Sequence, residues 1–266
     1  MARRGGHPGL AAYVDGYCGY VERAAHRVRR REMPSGRVPL IVSFGDPIDV
    51  AATSERRPAD RLVSFVAGFS EGYGVTEHAG RQHGIEVNLS PLGIYRLLGV
   101  DADELANEAV ALDALMGRPG EDLADRLASA PDWATRFDRL DRVLLGWADD
   151  GPVPDPAVTW AWRQLRGAHG QVAVGVLADE IGWSRRHFIA RFKRQVGLAP
   201  KPTARVLRFS RAVQLLKEGR LRSISDVAAV SGYADHSHLD RDFRAFAGYT
   251  PSELMAAQLP YGGVAG

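Results

Sequence analysis

From Ala11 to about Leu89 the apolar residues come in short runs, Tyr13 to Val21, Val38 to Phe44, Leu62 to Phe69, Gly72 to Thr76 and Ile85 to Leu89. Glycine, proline and charged clusters punctuate them, so each reads as a strand, and several at this spacing predict an antiparallel barrel or sandwich. Between Leu92 and about Asp149 the spacing becomes helical, as in Leu123 and Leu127 and then Phe137, Leu140, Val143, Leu144 and Trp147. The stretch from Gly151 to Pro156 ends that pattern, because proline lacks the amide donor and disfavours helical geometry in the residue before it. The predicted organisation is multidomain α+β. A β-rich domain spans 1–115, a helical connector with the proline-rich linker spans 116–155, an all-α domain spans 156–259, and 260–266 form a flexible tail.

Beyond the linker the pattern repeats after about fifty residues. Leu177-Ala-Asp-Glu-Ile-Gly-Trp183 overlays Val227-Ala-Ala-Val-Ser-Gly-Tyr233, with Ala178 on Ala228 and Gly182 on Gly232. With one residue added in the turn, Phe188 falls on Leu239, Phe192 on Phe243, Gly197 on Gly248 and Pro200 on Pro251. Each unit holds the parts of a helix-turn-helix: a small residue where two helices cross, a glycine for the positive φ of the turn, and an N-cap, Ser184 or Asp235, opening the second helix. At 100° per residue Phe188, Phe192 and Val196 share the buried face of the first such helix, and Leu239, Phe243 and Phe246 that of the second. The opposite faces carry Arg185, Arg186, Ala190, Lys193 and Arg194 in the first unit, and Ser237, His238, Arg241 and Arg244 in the second. The segment Thr203 to Lys217 reads as one long helix joining the units, with Val206, Leu207, Val213 and Leu216 packing inward and Arg205, Arg208 and Arg211 outward.

Charge sharpens this picture. Residues 156–266 hold 16 Lys and Arg against 8 Asp and Glu, a net +8, whereas residues 1–155 hold 18 against 24, a net −6. A basic helical module beside an acidic β-rich one predicts that only the former meets a polyanion, and DNA suits it. An arginine on a helix in the major groove can donate twice to guanine, so Arg241 and Arg186 are the leading base readers. Arg194, Arg205, Arg244, Lys193 and His236 are placed for phosphates. The single cysteine, Cys18, forms no internal disulfide, no run nears the roughly 18 apolar residues of a membrane span, and no apolar leader opens the chain, so a cytoplasmic location without membrane insertion is expected.

The runs Leu177 to Ser184, Phe192-Lys-Arg-Gln-Val-Gly197 and Val227 to Pro251 resemble the AraC/XylS family of bacterial transcription regulators. The similarity covers about Gln171 to Leu254. It implies a seven-helix domain that inserts both second helices, about 184–195 and 235–246, into adjacent major-groove segments of double-stranded operator DNA. Carried over by position, base-facing sites fall on Arg186, Ile189 and Ala190 and on Ser237, His238 and Arg241. Ala190 departs from the basic or polar residue that many members carry there. The resemblance also implies an N-terminal domain that binds a small-molecule effector or forms a homodimer, and contact with RNA polymerase if the protein activates.

Other chemistries fit less well. His78, His83 and Glu86 form a metal trio on paper, but without the His-x-His pair of a metal-binding cupin, so no metal or cofactor is expected. One cysteine is too few for the thiolate and cysteine-rich metal site of an alkylation-repair enzyme carrying such a module, and residues 1–155 hold no Ser/His/Asp elbow or phosphate loop, so no enzymatic activity is expected. Cys18 reads as a small buried hydrophobe, Arg3 and Arg4 as part of a mobile terminus, Arg27 to Arg31 as a solvated strand, and at least one of Trp160 and Trp162 as core.

Overall fold

The computed structural model describes residues 1–51, 59–219, 221, 223–256 and 264–265. Its first half is built on two antiparallel sheets. One holds β1 (Ala2–Arg4), β2 (Val14–Arg23), β4 (Val38–Ser43), β7 (Phe65–Ala67), β9 (Arg81–Leu89) and β10 (Ala109–Ala111), in the order β1-β2-β9-β4-β7-β10. The other holds β3 (Val28–Glu32), β5 (Ile48–Ala51), β6 (Asp60–Leu62), β8 (Gly74–His78) and β11 (Val264–Ala265), in the order β11-β3-β8-β5-β6. Of the two predicted forms, the sandwich describes this arrangement. The strands pair Tyr17 with Val87, Cys18 with Glu86 and Glu22 with Gln82. Because side chains alternate across a strand, Tyr17, Ile85, Val87 and Leu89 pack on one face while Cys18, Glu22, Gln82 and Glu86 share the other.

Helices cover the first of those faces. A short helix, α1 (Pro91–Gly93), continues into a π-helical turn at Ile94–Leu98, and a 3₁₀ turn follows at Ala102–Glu104. Next come α2 (Leu112–Met116), α3 (Arg118–Ala128) and α4 (Trp133–Asp150), the last capped by Asp132, which accepts from the Thr135 amide at 2.8 Å. The helical stretch predicted from Leu92 onward is thus interrupted by β10, whose three residues complete the edge of a sheet beside β7. Phe137 stacks on Tyr17 with ring centroids 5.6 Å apart, and the Tyr17 hydroxyl donates to Asp141 at 2.6 Å. Trp133 lies flat over Gly19, where a Cβ would stand 2.4 Å from the indole ring, so only glycine lets α4 approach β2 this closely. Arg4 in β1 pairs with Asp138 and Asp141 of the same helix, which corrects the reading of a mobile terminus.

After Asp150 the chain is extended at Gly151 and resumes as α5 (Pro156–Gly167), with Asp155 accepting from the Ala157 amide at 2.9 Å. The remaining helices are α6 (Val174–Ile181), α7 (Arg185–Val196), α8 (Pro200–Glu218), α9 (Ile224–Val230), α10 (His236–Ala247) and α11 (Pro251–Ala256). Phe188, Phe192, Phe209, Phe243 and Phe246 are all fully buried, and Phe209 of α8 meets Phe243 and Phe246 of α10 at 4.9 and 5.2 Å. Each such ring removes about 150–250 Å² from water, so these aromatics dominate what holds the helices on their long central member. The apolar core runs unbroken into the β half, where Phe69 meets the buried Trp162 edge-on at 6.3 Å.

Candidate nucleic-acid interface and inter-sheet cavity

Both units of the sequence repeat fold as helix-turn-helix pairs, α6 with α7 and α9 with α10. Gly182 ends α6 in the left-handed conformation at φ 75°, and Gly232 takes φ 78° in the matching turn. The Ser184 hydroxyl accepts from the His187 amide at 3.3 Å, and Asp235 accepts from the His238 amide at 2.7 Å, so the predicted caps open both second helices. Ala178 and Ala228 are buried at the crossings, and the two aromatic stripes face inward.

That burial aims the opposite faces at solvent. In α7, Arg185, Arg186, Ile189, Ala190, Lys193 and Arg194 are exposed, with Ile189 at 41% the least expected of them for an aliphatic side chain. In α10, His236, Ser237, Arg241 and Arg244 are exposed, whereas His238 is half-buried with its ring edge-on to Tyr233 at 5.1 Å. Among the described residues, the one hydrogen bond of Arg241 runs from Nε to the Ser237 carbonyl at 3.4 Å, leaving its terminal nitrogens free.

Four of the expected phosphate ligands have protein partners, His236 among them with its Nε2 3.4 Å from Asp240. Arg205 donates to the buried Asp242 at 2.6 Å and lies over the Phe246 ring, pinning α8 to α10. Arg194 donates to Asp101 at 2.8 Å, and Lys193 comes within 4.0 Å of Asp103, so the last turn of α7 docks on the 3₁₀ turn of the β half. The carboxylate of Asp101 holds the Arg194 guanidinium even more firmly protonated than usual. On its inner side α7 is fixed by the buried Gln195, which accepts from the Asp155 amide at 2.8 Å. Further bridges join the halves: Arg166 to both oxygens of Asp15 at 2.8 Å, and Arg31 to the carbonyls of Ala247 and Gly248 at the end of α10, with its guanidinium over Tyr73 and Tyr249.

The sheets enclose a cavity of about 450 Å³. Arg30 and Glu32 of β3 point into it, while Arg31 between them turns to the helical half, so the reading of a solvated strand holds for the exposed Arg27 and Arg29 and not for Arg30 and Arg31. Within it Arg30 pairs with Glu22 and stands 3.0 Å from His78 Nε2. Burial holds His78 below the usual histidine range despite Glu22 nearby. His83 lies elsewhere, edge-on to Phe44 and Trp133, so the paper trio of His78, His83 and Glu86 is not assembled, and the described residues hold no cluster able to grip a metal. Cys18 is half-buried in the cavity wall rather than in the core. A signal existed: Glu22, Gln82 and Glu86 occupy positions that a closed sandwich would fill with apolar side chains.

A two-domain protein with a paired helix-turn-helix module is the class that this architecture defines. Residues 177–257 match the family described as a helix-turn-helix domain, and residues 5–111 match a domain of unknown function, DUF6597. An uncharacterized HTH-type transcriptional regulator, YbfI of Bacillus subtilis, is 33% identical over 89 residues, which make up 33% of this chain. The chain spans about a third (32%) of that relative's length. ToxT from Vibrio cholerae shares the fold, at 12% identity and TM-score 0.51, over 89% of this chain and 97% of that one. A ToxT structure with bound unsaturated fatty acid gives 11%, 0.50, 89% and 94%. The chain thus matches a helix-turn-helix domain family over residues 177–257 and a transcriptional regulator over 89 residues, and over most of its length it shares the fold of ToxT.

Proposed function

We propose that this protein is an effector-responsive, sequence-specific regulator of transcription that acts in the cytoplasm on double-stranded operator DNA. The observation that carries the reading is the pair of capped helices, α7 and α10, whose exposed faces differ. A binder of shape alone needs only backbone charge, whereas two unlike polar faces on grooved-size helices suit base readout. Arg186 and Arg241 donate to guanine edges, with Arg185, Ile189, Ala190, Ser237 and His238 beside them. Arg244 and His236 meet phosphates, joined by Lys193 and Arg194 once these leave Asp103 and Asp101. Arg205 acts as a positioning residue for α10 through Asp242.

The inter-sheet cavity is the effector site in this reading. ToxT, of the same fold, has been crystallised with an unsaturated fatty acid and with a synthetic butenoic acid, which supports a ligand-holding role for the β half without giving this chain the same ligand. Residues 1–115 house that cavity and the surface for a second copy, 116–155 connect, and 156–259 bind DNA; RNA polymerase is the further partner where the protein activates. Selection of bound sequences from a random DNA pool by the full chain tests the reading. Enrichment of two half-sites about one helical turn, 34–36 Å, apart is expected. Equal affinity for selected and random DNA at physiological salt removes it.

A further inference from the structure

We propose that the inter-sheet cavity binds a small organic cation, an ammonium or amidinium group on an apolar body, with Glu32 and Glu86 as its counter-ions. This rests on the effector-site reading above and adds the ligand's chemistry. The cavity, at about 450 Å³, lies in the range of small-molecule sites. Strand order divides its lining. At one side, β2 and β9 face β3 and β8 and supply Glu22, Arg30, Glu32, Gln82 and Glu86; at the other, β4 and β7 face β5 and supply Ile41, Phe65, Ile48 and Val50. A ligand filling it therefore has one polar and one apolar end.

The sign of the polar end follows from the charges already spent. Arg30 is held by Glu22, and Arg37 by Asp15 at 3.0 Å. Glu32 accepts from the Thr76 hydroxyl at 3.1 Å, and among the described residues neither it nor Glu86 has a cation within 4.0 Å. Desolvation pushes both carboxyls above their usual range, against Thr76 and Arg30 at Glu32 and against Asn88, Arg37 and Arg3 at Glu86. An independent observation points the same way. Gln82, only 4% exposed, uses Nε2 on the Asp46 carbonyl at 3.1 Å, and this bond fixes the amide so that Oε1 is left in the cavity wall without a donor. A buried acceptor left unpaired is costly. Glu32, with one donor from Thr76, Glu86, with one from Asn88, and Gln82 Oε1, with none, thus retain acceptor capacity, which an ammonium meets with three donors and a carboxylate with none. Arg30 Nε, buried and unpaired, leaves one donor for a hydroxyl or carbonyl on the same ligand.

The test is a melting-temperature and calorimetric screen of the full chain against linear and phenyl-substituted primary amines, each compared with the carboxylate and the alcohol of the same skeleton. Amines are expected to raise the melting temperature, their matched carboxylates not to, and Glu32→Gln with Glu86→Gln to weaken amine binding by roughly tenfold or more, as loss of charge-assisted bonds does. Both glutamines preserve shape, and the comparison among ligands on the unaltered protein needs no variant. Carboxylates binding better than amines, alcohols binding equally well, amine binding unchanged in the double variant, or no shift with any amine each overturns the cation assignment. Amines that bind as expected but leave operator affinity unchanged keep this assignment and remove the effector reading instead.

Discussion

Arg205 and Arg241 look interchangeable in the chain, each an arginine on a helix of the basic module, yet their partners assign them different work. Arg205 neutralises Asp242, whose side chain is 3% exposed, while Arg241 keeps its terminal nitrogens free at the surface. Removing the cation leaves a buried carboxylate uncompensated, so Arg205→Ala is expected to cost about 1–3 kcal/mol in urea unfolding, below the 3–5 of a fully buried pair because Arg205 keeps contact with water. Arg241→Ala should leave the unfolding curve in place and cost about 1–3 kcal/mol of discrimination at one or two base pairs. Both variants unfolding alike would collapse the distinction. At the same scale, Glu86 is held above the usual carboxyl range by desolvation, against the Asn88 hydrogen bond and the charges of Arg37 and Arg3. A folded-state pKa above the unfolded one, about 4.5, means the native state binds the proton more tightly, so stability is full below that value and declines as pH rises through the raised one. Glu86→Gln should therefore raise the melting temperature at pH 7.5 by roughly 2–4 °C, the effect of ~1 kcal/mol in a chain of this size, and give no gain near pH 4. A gain of equal size at both pH values would show that ionisation is not the cost.

The amphipathic helices and strands β2, β4, β7, β8 and β9 were legible in the chain, and the polar lining between the sheets was not. The stripes Phe188-Phe192-Val196 and Leu239-Phe243-Phe246, the caps Ser184 and Asp235 and the turn glycines are local signals that tertiary packing only had to accept. Arg30, Glu32 and Glu22 carry charge on the inward face, so the pattern predicts a solvated strand where β3 lies over a polar cavity. β1, β6 and β10 have three residues each, too short for any period to register, and exist because a neighbouring strand offers an unpaired edge. Ala109–Ala111 is the plainest instance, a sheet edge inside a stretch read as helix. The caps are the elements' testable feature. Asp235→Ala removes an acceptor from the first free amide of α10 and should cost ~1 kcal/mol in stability, with Asp235→Asn, which keeps an acceptor oxygen, restoring most of it. Equal loss in both would mean that the charge rather than the hydrogen bond matters.

For the whole molecule the decisive fact is that the acidic half already pairs with part of the basic face proposed to meet DNA. Asp101 and Asp103 take Arg194 and Lys193 at the end of α7, and Arg31 holds the end of α10, one residue from Glu32 in the cavity wall. In the proposed function DNA phosphates and these carboxylates compete for the same cations, so docking of the halves and full engagement of α7 oppose each other at those groups. β3 links the cavity to the helical half, because Glu32 faces the cavity and Arg31 faces the end of α10 on adjacent residues of one strand. Asp101→Asn with Asp103→Asn frees both cations at the cost of two exposed ion pairs, whose loss costs the fold little. The double variant should bind operator and random DNA about tenfold more tightly at low salt, with the slope of log affinity against log salt steeper by about one to two, since each phosphate neutralised adds close to one. Discrimination between operator and random DNA should stay as it was, because phosphate contacts position the helices without reading sequence. Unchanged affinity and slope, measured by fluorescence anisotropy across a salt series, would mean that Arg194 and Lys193 never reach DNA and that the contact with the 3₁₀ turn is purely structural.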